Sequence, residues 1–433
     1  MRNILSEPIA LRMGLSAAEY EAALAGLPRP VPTLRSGLLN SHIAVSENSG
    51  VLTNSGTLTL GANFRLETPF VGVRLILANY GAAVTLPNLA VAASSDAVSV
   101  TVPNDGKGGV APWLPVTTGG TTSATLPAGT TAQPTYTLSD IVSLESIDPT
   151  DGLGTWHIKT RVLCPASGWS LAQAPGPTMA DAEGRSFQFW YASADYVSSP
   201  ALIANLTDTA SGLALVQNTF LVAGVQFYSG TRCISIASFG DSLTRGFGGA
   251  ADGYGGYGRL AARTLTSAAC GVSYVDGSFS GQITELFAAR ALYMLNQGIV
   301  PHVLTIPIDS PNGYSSADRV NMERVVMDVV NKALSLGVLV VLLTSIPFGG
   351  TVADPNNASR IISSAKVRKL AARGVLVMDA AALLCGFIPT ISQPAILPAG
   401  LVSTTASPHI NDAGQHVLSN ALVALLQPVL ADN

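Results

Sequence analysis

Phe239-Gly240-Asp241-Ser242-Leu243-Thr244 closes the apolar run Cys233–Phe239. A short apolar run bounded by a turn signal reads as a buried strand. Seven glycines then lie between Gly246 and Gly258, and Tyr257–Thr266 reads as a helix. A serine on the tight turn after such a strand stands at the carboxyl edge of a sheet, where open α/β folds bind ligands. Downstream, Val303–Ile308, Val338–Thr344 and Val375–Met378 read as further buried strands. A long helix between them carries Met322, Val325, Val326, Val329, Val330 and Leu334 on one face. The chain ends in a helix over Ala413–Leu426. Strand and helix alternate, so residues 230–433 are expected to form an α/β domain around a parallel sheet.

Upstream, the pattern is different. Val71, Val73, Leu75 and Leu77 alternate with Gly72, Arg74 and Ile76, and Trp156, Ile158, Thr160 and Val162 with His157, Lys159 and Arg161. Phe187, Phe189 and Tyr191 repeat the two-residue period. This is the pattern of half-buried strands. Pro103–Pro134, rich in Gly, Thr and Pro, reads as surface loop. Residues 37–229 are therefore expected to form a β-sandwich of jelly-roll type, placed ahead of the α/β domain. In residues 1–36, Ser16 and Glu19 have capping-box spacing, and Tyr20, Ala23, Leu24 and Leu27 follow a helical period. Pro28, Pro30 and Pro32 end that helix and stiffen the connection. The leader reads either as a packed extension or as an attachment element for a larger assembly. There is no internal repeat.

Composition narrows the classes. Of 433 residues 48% are hydrophobic and 12% charged, half the average charged share, which argues against a disordered chain. Lys and Arg number 23 against 27 Asp and Glu, so no basic excess exists to hold a nucleic acid. Val338–Leu343, as long as any purely apolar run in the chain, is far shorter than a membrane span of roughly 20 residues. Glu7 interrupts the place where a signal sequence would carry its apolar stretch. Cys164, Cys233, Cys270 and Cys385 make no metal or redox pattern and read as buried thiols. No metal or organic cofactor is expected.

Four blocks in the C-terminal half could carry chemistry. Gly240-Asp241-Ser242 supplies a serine that needs a base and oxyanion donors to act as a nucleophile. Val275-Asp276-Gly277-Ser278-Phe279-Ser280-Gly281 follows the next strand. Asp309-Ser310-Pro311-Asn312-Gly313 follows another, and Ala406-Ser407-Pro408-His409 precedes the last helix. Each has a plainer reading: a turn for Ser242, Gly281 and Asn312, a loop histidine at the last helix for His409. Asp241 reads as fixing the turn, and Asn411 as the N-cap of the final helix.

In order and spacing these blocks resemble the SGNH hydrolases, also called GDSL esterases, over residues 231–433. The resemblance implies a flavodoxin-like hydrolase domain with Ser242 as nucleophile and His409 as general base. It makes the Ser242 and Gly281 backbone N–H groups and the Asn312 amide the oxyanion donors. Two departures stand out. The Gly and Asp of the family's third block are replaced, and Ala406 stands where the Asp three residues before the base belongs. That Asp normally orients the imidazole. A backbone carbonyl or Ser407 could take over, or another carboxylate, with Asp412, Asp309 and Asp379 as candidates; otherwise the site has lost its activity.

The resemblance implies a serine carboxylic ester hydrolase. A β region ahead of the hydrolase resembles carbohydrate O-acetyl esterases and phage or prophage tail proteins, which points to an acetylated polysaccharide as substrate. Such a protein is expected outside the cell or on a virion, as an oligomer or part of a particle. A lipase or thioesterase is the alternative among enzymes, and an inactive glycan-binding or structural tail protein the alternative outside them.

Overall fold

The computed structural model describes residues 37–39, 50–53, 57–66, 68–79, 81–96, 98–99, 101–129, 135–150, 154–165, 170–173, 187–203, 205, 207, 213–216, 222–229, 232–249, 256–267, 270–278, 280–348, 356–373, 375–403 and 409–431. The helix expected within residues 1–36, and Ala406 and Ser407, lie outside them. The chain divides into two compact units, one of Leu34–Ile234 with Thr266–Val275, the other containing Ser235–Leu265 with Asp276–Asn433.

The first unit is antiparallel. One five-stranded sheet has Gly72–Asn79 at its centre, paired with Val222–Tyr228, Thr135–Leu138 and Val142–Ser143. A six-stranded sheet is centred on Leu58–Leu66 and Trp156–Cys164, paired along nine residues. The alternation in Trp156–Cys164 predicts one wet face, but every residue after Trp156 is buried. The long cationic side chains achieve this by reaching backbone carbonyls. Lys159 Nζ donates to Ser99 O, and Arg161 donates to Tyr196 O at 3.2 Å and Thr101 O at 3.0 Å. The Arg161 guanidinium also lies 3.7 Å over the Trp113 ring, and burial pushes its pKa down to about 9. The expected loop Pro103–Pro134 instead contains two short strands, Leu114–Val116 and Ala124–Leu126.

A five-stranded sheet runs through the second unit, with Arg232–Ile234 and Cys270–Val275 of its strands counted in the first. Its strands are β1 (Arg232–Gly240), β2 (Cys270–Ser278), β3 (Val303–Pro307), β4 (Leu339–Leu343) and β5 (Leu376–Met378), in the order β2-β1-β3-β4-β5. The pairs β1–β3, β3–β4 and β4–β5 are parallel. Both β3 and β4 are buried along their whole length, which is why they appear in the sequence as unbroken apolar runs. Connecting helices are α1 (Ser242–Arg245), α2 (Tyr257–Leu265), α3 (Thr284–Asn296), α4 (Arg319–Ser335), α5 (Asn357–Arg368), α6 (Ala380–Cys385) and α7 (Asp412–Ala431). On α4 the buried face is Met322, Val326, Val329, Val330 and Ala333; Val325 and Leu334 lie at its margin. From β1 the chain steps outward to β2, then crosses back to β3 on the other side. That reversal opens a crevice at the carboxyl ends of β1 and β3.

One buried side chain ties three helices together beside this crevice. Gln415 of α7, fully buried, accepts from Tyr257 N of α2 at 2.9 Å and donates from Nε2 to Leu243 O of α1 at 2.9 Å. Gln415→Ala leaves a buried N–H and a buried carbonyl without partners, each worth roughly 1–3 kcal/mol. A drop of that order is expected in the urea unfolding free energy.

Candidate active site

The turn after β1 is tight because Gly240 has no side chain: a Cβ there would come within 2.1 Å of Thr244 Oγ1. Asp241 then caps α1, its Oδ1 accepting from Leu243 N at 2.9 Å. Ser242, 3% exposed, is the first residue of α1. Its carbonyl accepts from Gly246 N and Phe247 N, which closes the helix after one turn. Ser242 Oγ lies 2.9 Å from His409 Nε2.

His409 is held from both sides in sequence. Its carbonyl accepts from Ser403 N at 2.8 Å, and Ile410 bridges to Val402. Asn411 caps α7 by accepting from Gly414 N at 3.1 Å, while its Nδ2 donates to Gly400 O at 2.9 Å. Phe247 and Phe348 meet the imidazole edge-on, at ring-centroid distances of 4.9 and 5.3 Å. Neither aromatic is marked in the sequence, because neither sits in one of the four blocks.

The third block meets the first, and also the residue that follows the second, through hydrogen bonds. Gly281 has φ +81°, a left-handed conformation that favours glycine, and it is exposed. The next carbonyl, Gln282 O, accepts from Ser310 Oγ at 2.8 Å and Asn312 Nδ2 at 3.2 Å. Asn312 also donates to Ser310 Oγ, from N at 3.1 Å and from Nδ2 at 3.2 Å. The two acceptors of Nδ2, 2.8 Å apart and each 3.2 Å away, subtend roughly 50° at the nitrogen, whereas amide hydrogens diverge by roughly 120°. Both acceptors therefore lie on the same side of the amide nitrogen. Ser310 Oγ also reaches the Asp241 carboxylate. Burial pushes the Asp241 pKa up, against the opposing effect of the Ser310 and Leu243 hydrogen bonds.

The carboxylates considered as orienters of His409 fall in different places. Asp309 forms a buried ion pair with Arg360 at 3.1 Å and accepts from Ser345 Oγ at 2.5 Å. Asp379 accepts from Arg368 Nε at 2.6 Å, Thr344 Oγ1 at 3.0 Å and, as cap of α6, Ala382 N at 3.1 Å. Both carboxylates are thus engaged in holding helices to the sheet. Asp412 is exposed at the first position of α7, and its Oδ1 lies 2.2 Å from where a Cβ on Gly249 would be. The four cysteines are free and buried; burial raises their pKa values, that of Cys385 to about 11. Among the described residues no cluster of His, Cys, Asp and Glu could hold a metal ion.

Arg360, buried on α5, was not visible as part of the site region. Removing one partner of a buried ion pair strands the other charge, at a cost of about 3–5 kcal/mol. Arg360→Ala is expected to lose stability of that order in chemical denaturation.

No protein-family model matches the chain, and no curated protein matches it. Among solved structures it is similar to a family two carbohydrate esterase from Clostridium thermocellum in complex with cellohexaose, at 12% identity over 92% of this chain and 99% of that one, TM-score 0.36. It is also similar to a member of the lipolytic protein G-D-S-L family from Veillonella parvula DSM 2008, at 14% identity over 45% of this chain and 98% of that one, TM-score 0.34. A third is the psychrotrophic esterase EstA from Pseudoalteromonas sp., at 16% identity over 46% of this chain and 98% of that one, TM-score 0.34.

Proposed function

We propose that this protein is a serine ester hydrolase that removes O-acetyl groups from a polysaccharide. The observation that carries the reading is the 2.9 Å contact between Ser242 Oγ and His409 Nε2 at the strand-order reversal of a parallel sheet. In this reading Ser242 Oγ attacks the ester carbonyl as His409 Nε2 takes its proton. The Ser242 and Gly281 N–H groups and the Asn312 amide hold the oxyanion. His409 returns the proton to the leaving alcohol. Water, deprotonated by the same imidazole, then releases the acyl group and restores the serine.

A small acyl group is supported by the 3% exposure of Ser242 and by the two phenylalanine rings against the base. The polysaccharide half of the proposal rests on the antiparallel unit that accompanies the hydrolase unit. The test is hydrolysis of p-nitrophenyl acetate and butyrate, with acetate release from an O-acetylated polysaccharide. Acetate is expected to be preferred over butyrate, and the polymer to be deacetylated. Rates equal to those of the Ser242→Ala variant on all three would remove the hydrolase reading. Preference for butyrate would move it to the lipase or thioesterase alternative.

A further inference from the structure

One highly connected side chain in the site region is not used by the mechanism above. Ser310 is fully buried, and its hydroxyl lies within hydrogen-bond reach of three segments at once. It meets the carboxylate of Asp241, directly before the nucleophile. It meets Gln282 O, directly after Gly281. It meets both the backbone N–H and the side-chain amide of Asn312. Its own backbone N–H donates to Thr284 Oγ1 at 3.0 Å, at the first residue of α3. This serine stands where the resemblance would have a glycine, which could offer none of the side-chain contacts.

We propose that Ser310 is a positioning residue of the oxyanion site, its hydroxyl setting the orientation of the Asn312 amide and locking it to the turn that carries Ser242. A hydroxyl has one hydrogen and two lone pairs. Asn312 N–H and an Nδ2–H occupy the lone pairs, and the hydrogen goes to the carboxylate of Asp241 or to Gln282 O. The two contacts of Nδ2 fix the rotation of the amide about its last torsion. Without the Ser310 oxygen, Asn312 Nδ2 keeps only the 3.2 Å contact to Gln282 O, and the amide is free to turn about its last torsion. A donor displaced by even a fraction of an ångström from the oxyanion loses much of its effect.

The proposal rests on the ester-hydrolase reading, and its test separates the two. Turnover of p-nitrophenyl acetate is measured for the wild type, Ser310→Ala, Asn312→Ala and the double variant. Ser310→Ala is expected to lower kcat about 10- to 100-fold with KM within about threefold, since the donor acts on the transition state. In the Asn312→Ala background the same change should alter kcat less than about threefold, because the group through which it acts is gone. An unchanged kcat, or the same loss in both backgrounds, overturns the proposal. Should Ser310→Ala not fold, Ser310→Cys keeps the volume with a weak donor and acceptor, and a wild-type kcat there overturns it equally. Crystal structures of the wild type and of the folded variant give the second readout. The Asn312 amide is expected to turn out of its wild-type orientation, and an unmoved amide overturns the proposal. If the wild type is no faster than Ser242→Ala, the hydrolase reading falls, and the crystal comparison alone decides whether Ser310 orients Asn312.

Discussion

Ser242→Ala is expected to lower turnover of an activated acetyl ester by about 10⁴- to 10⁶-fold, leaving the unfolding midpoint close to that of the wild type. The rate effect follows from position. Ser242 is the first residue of a one-turn helix, and its Oγ is the atom aimed at His409 Nε2. Alanine keeps the helix, because the Asp241 cap and the bonds from Gly246 and Phe247 to the Ser242 carbonyl do not involve Oγ. What disappears is the bond-forming atom. Residual activity of about 10³-fold over water could persist from the oxyanion donors alone. A variant that keeps more than a few per cent of the wild-type rate would show that the nucleophile is elsewhere, whatever its distance to His409.

The strands of the parallel sheet were legible because burial on both faces leaves an uninterrupted apolar run: Val303–Pro307 and Leu339–Leu343 lie within the stretches expected. Helix α5 was not, and for a physical reason. Its buried residues are Arg360, Ser363, Ser364 and Val367, so its inner face is polar and hydrophobic periodicity gives no signal. That face is buried because it meets polar partners: Arg360 pairs with Asp309, and Ser363 donates to Glu323 at 2.8 Å. The same reasoning explains His157, Lys159 and Arg161, whose alternation suggested a wet face.

Ser242, Gly281, Asn312 and His409 stand out in the sequence through the resemblance of their blocks, and the structure brings Ser242 Oγ and His409 Nε2 within 2.9 Å. Their supports do not stand out. Gln415 is one of several polar residues in the last helix, and nothing in its neighbours marks it as the tie between α1, α2 and α7. Ser310 did leave a trace: a hydroxyl side chain in the third block, where the resemblance has glycine. A buried serine in such a place needs hydrogen-bond partners, and only the fold shows that these include Asp241 and Asn312.

His409→Ala is expected to reduce the same turnover by about 10³- to 10⁶-fold, and to add almost nothing to Ser242→Ala. Serine and histidine act as one unit: without the imidazole the hydroxyl keeps its proton, and without the hydroxyl the imidazole has no proton to take. Additive losses in the double variant would place His409 outside the reacting pair despite the 2.9 Å contact. Asp412→Asn distinguishes how the imidazole is supported. Asp412 is exposed at the first position of α7, where a negative charge also favours the helix N-terminus. If that is its role, Asn should cost a few tenths of a kcal/mol in stability and leave the rate within about threefold. A hundredfold loss of rate would instead make Asp412 the third member of the unit, because a carboxylate stabilises imidazolium in a way that the neutral amide does not. Asp309 and Asp379 give a contrasting control. Each is held by an arginine, so neutralising either should appear first in the unfolding curve, with the rate of the remaining folded enzyme little changed.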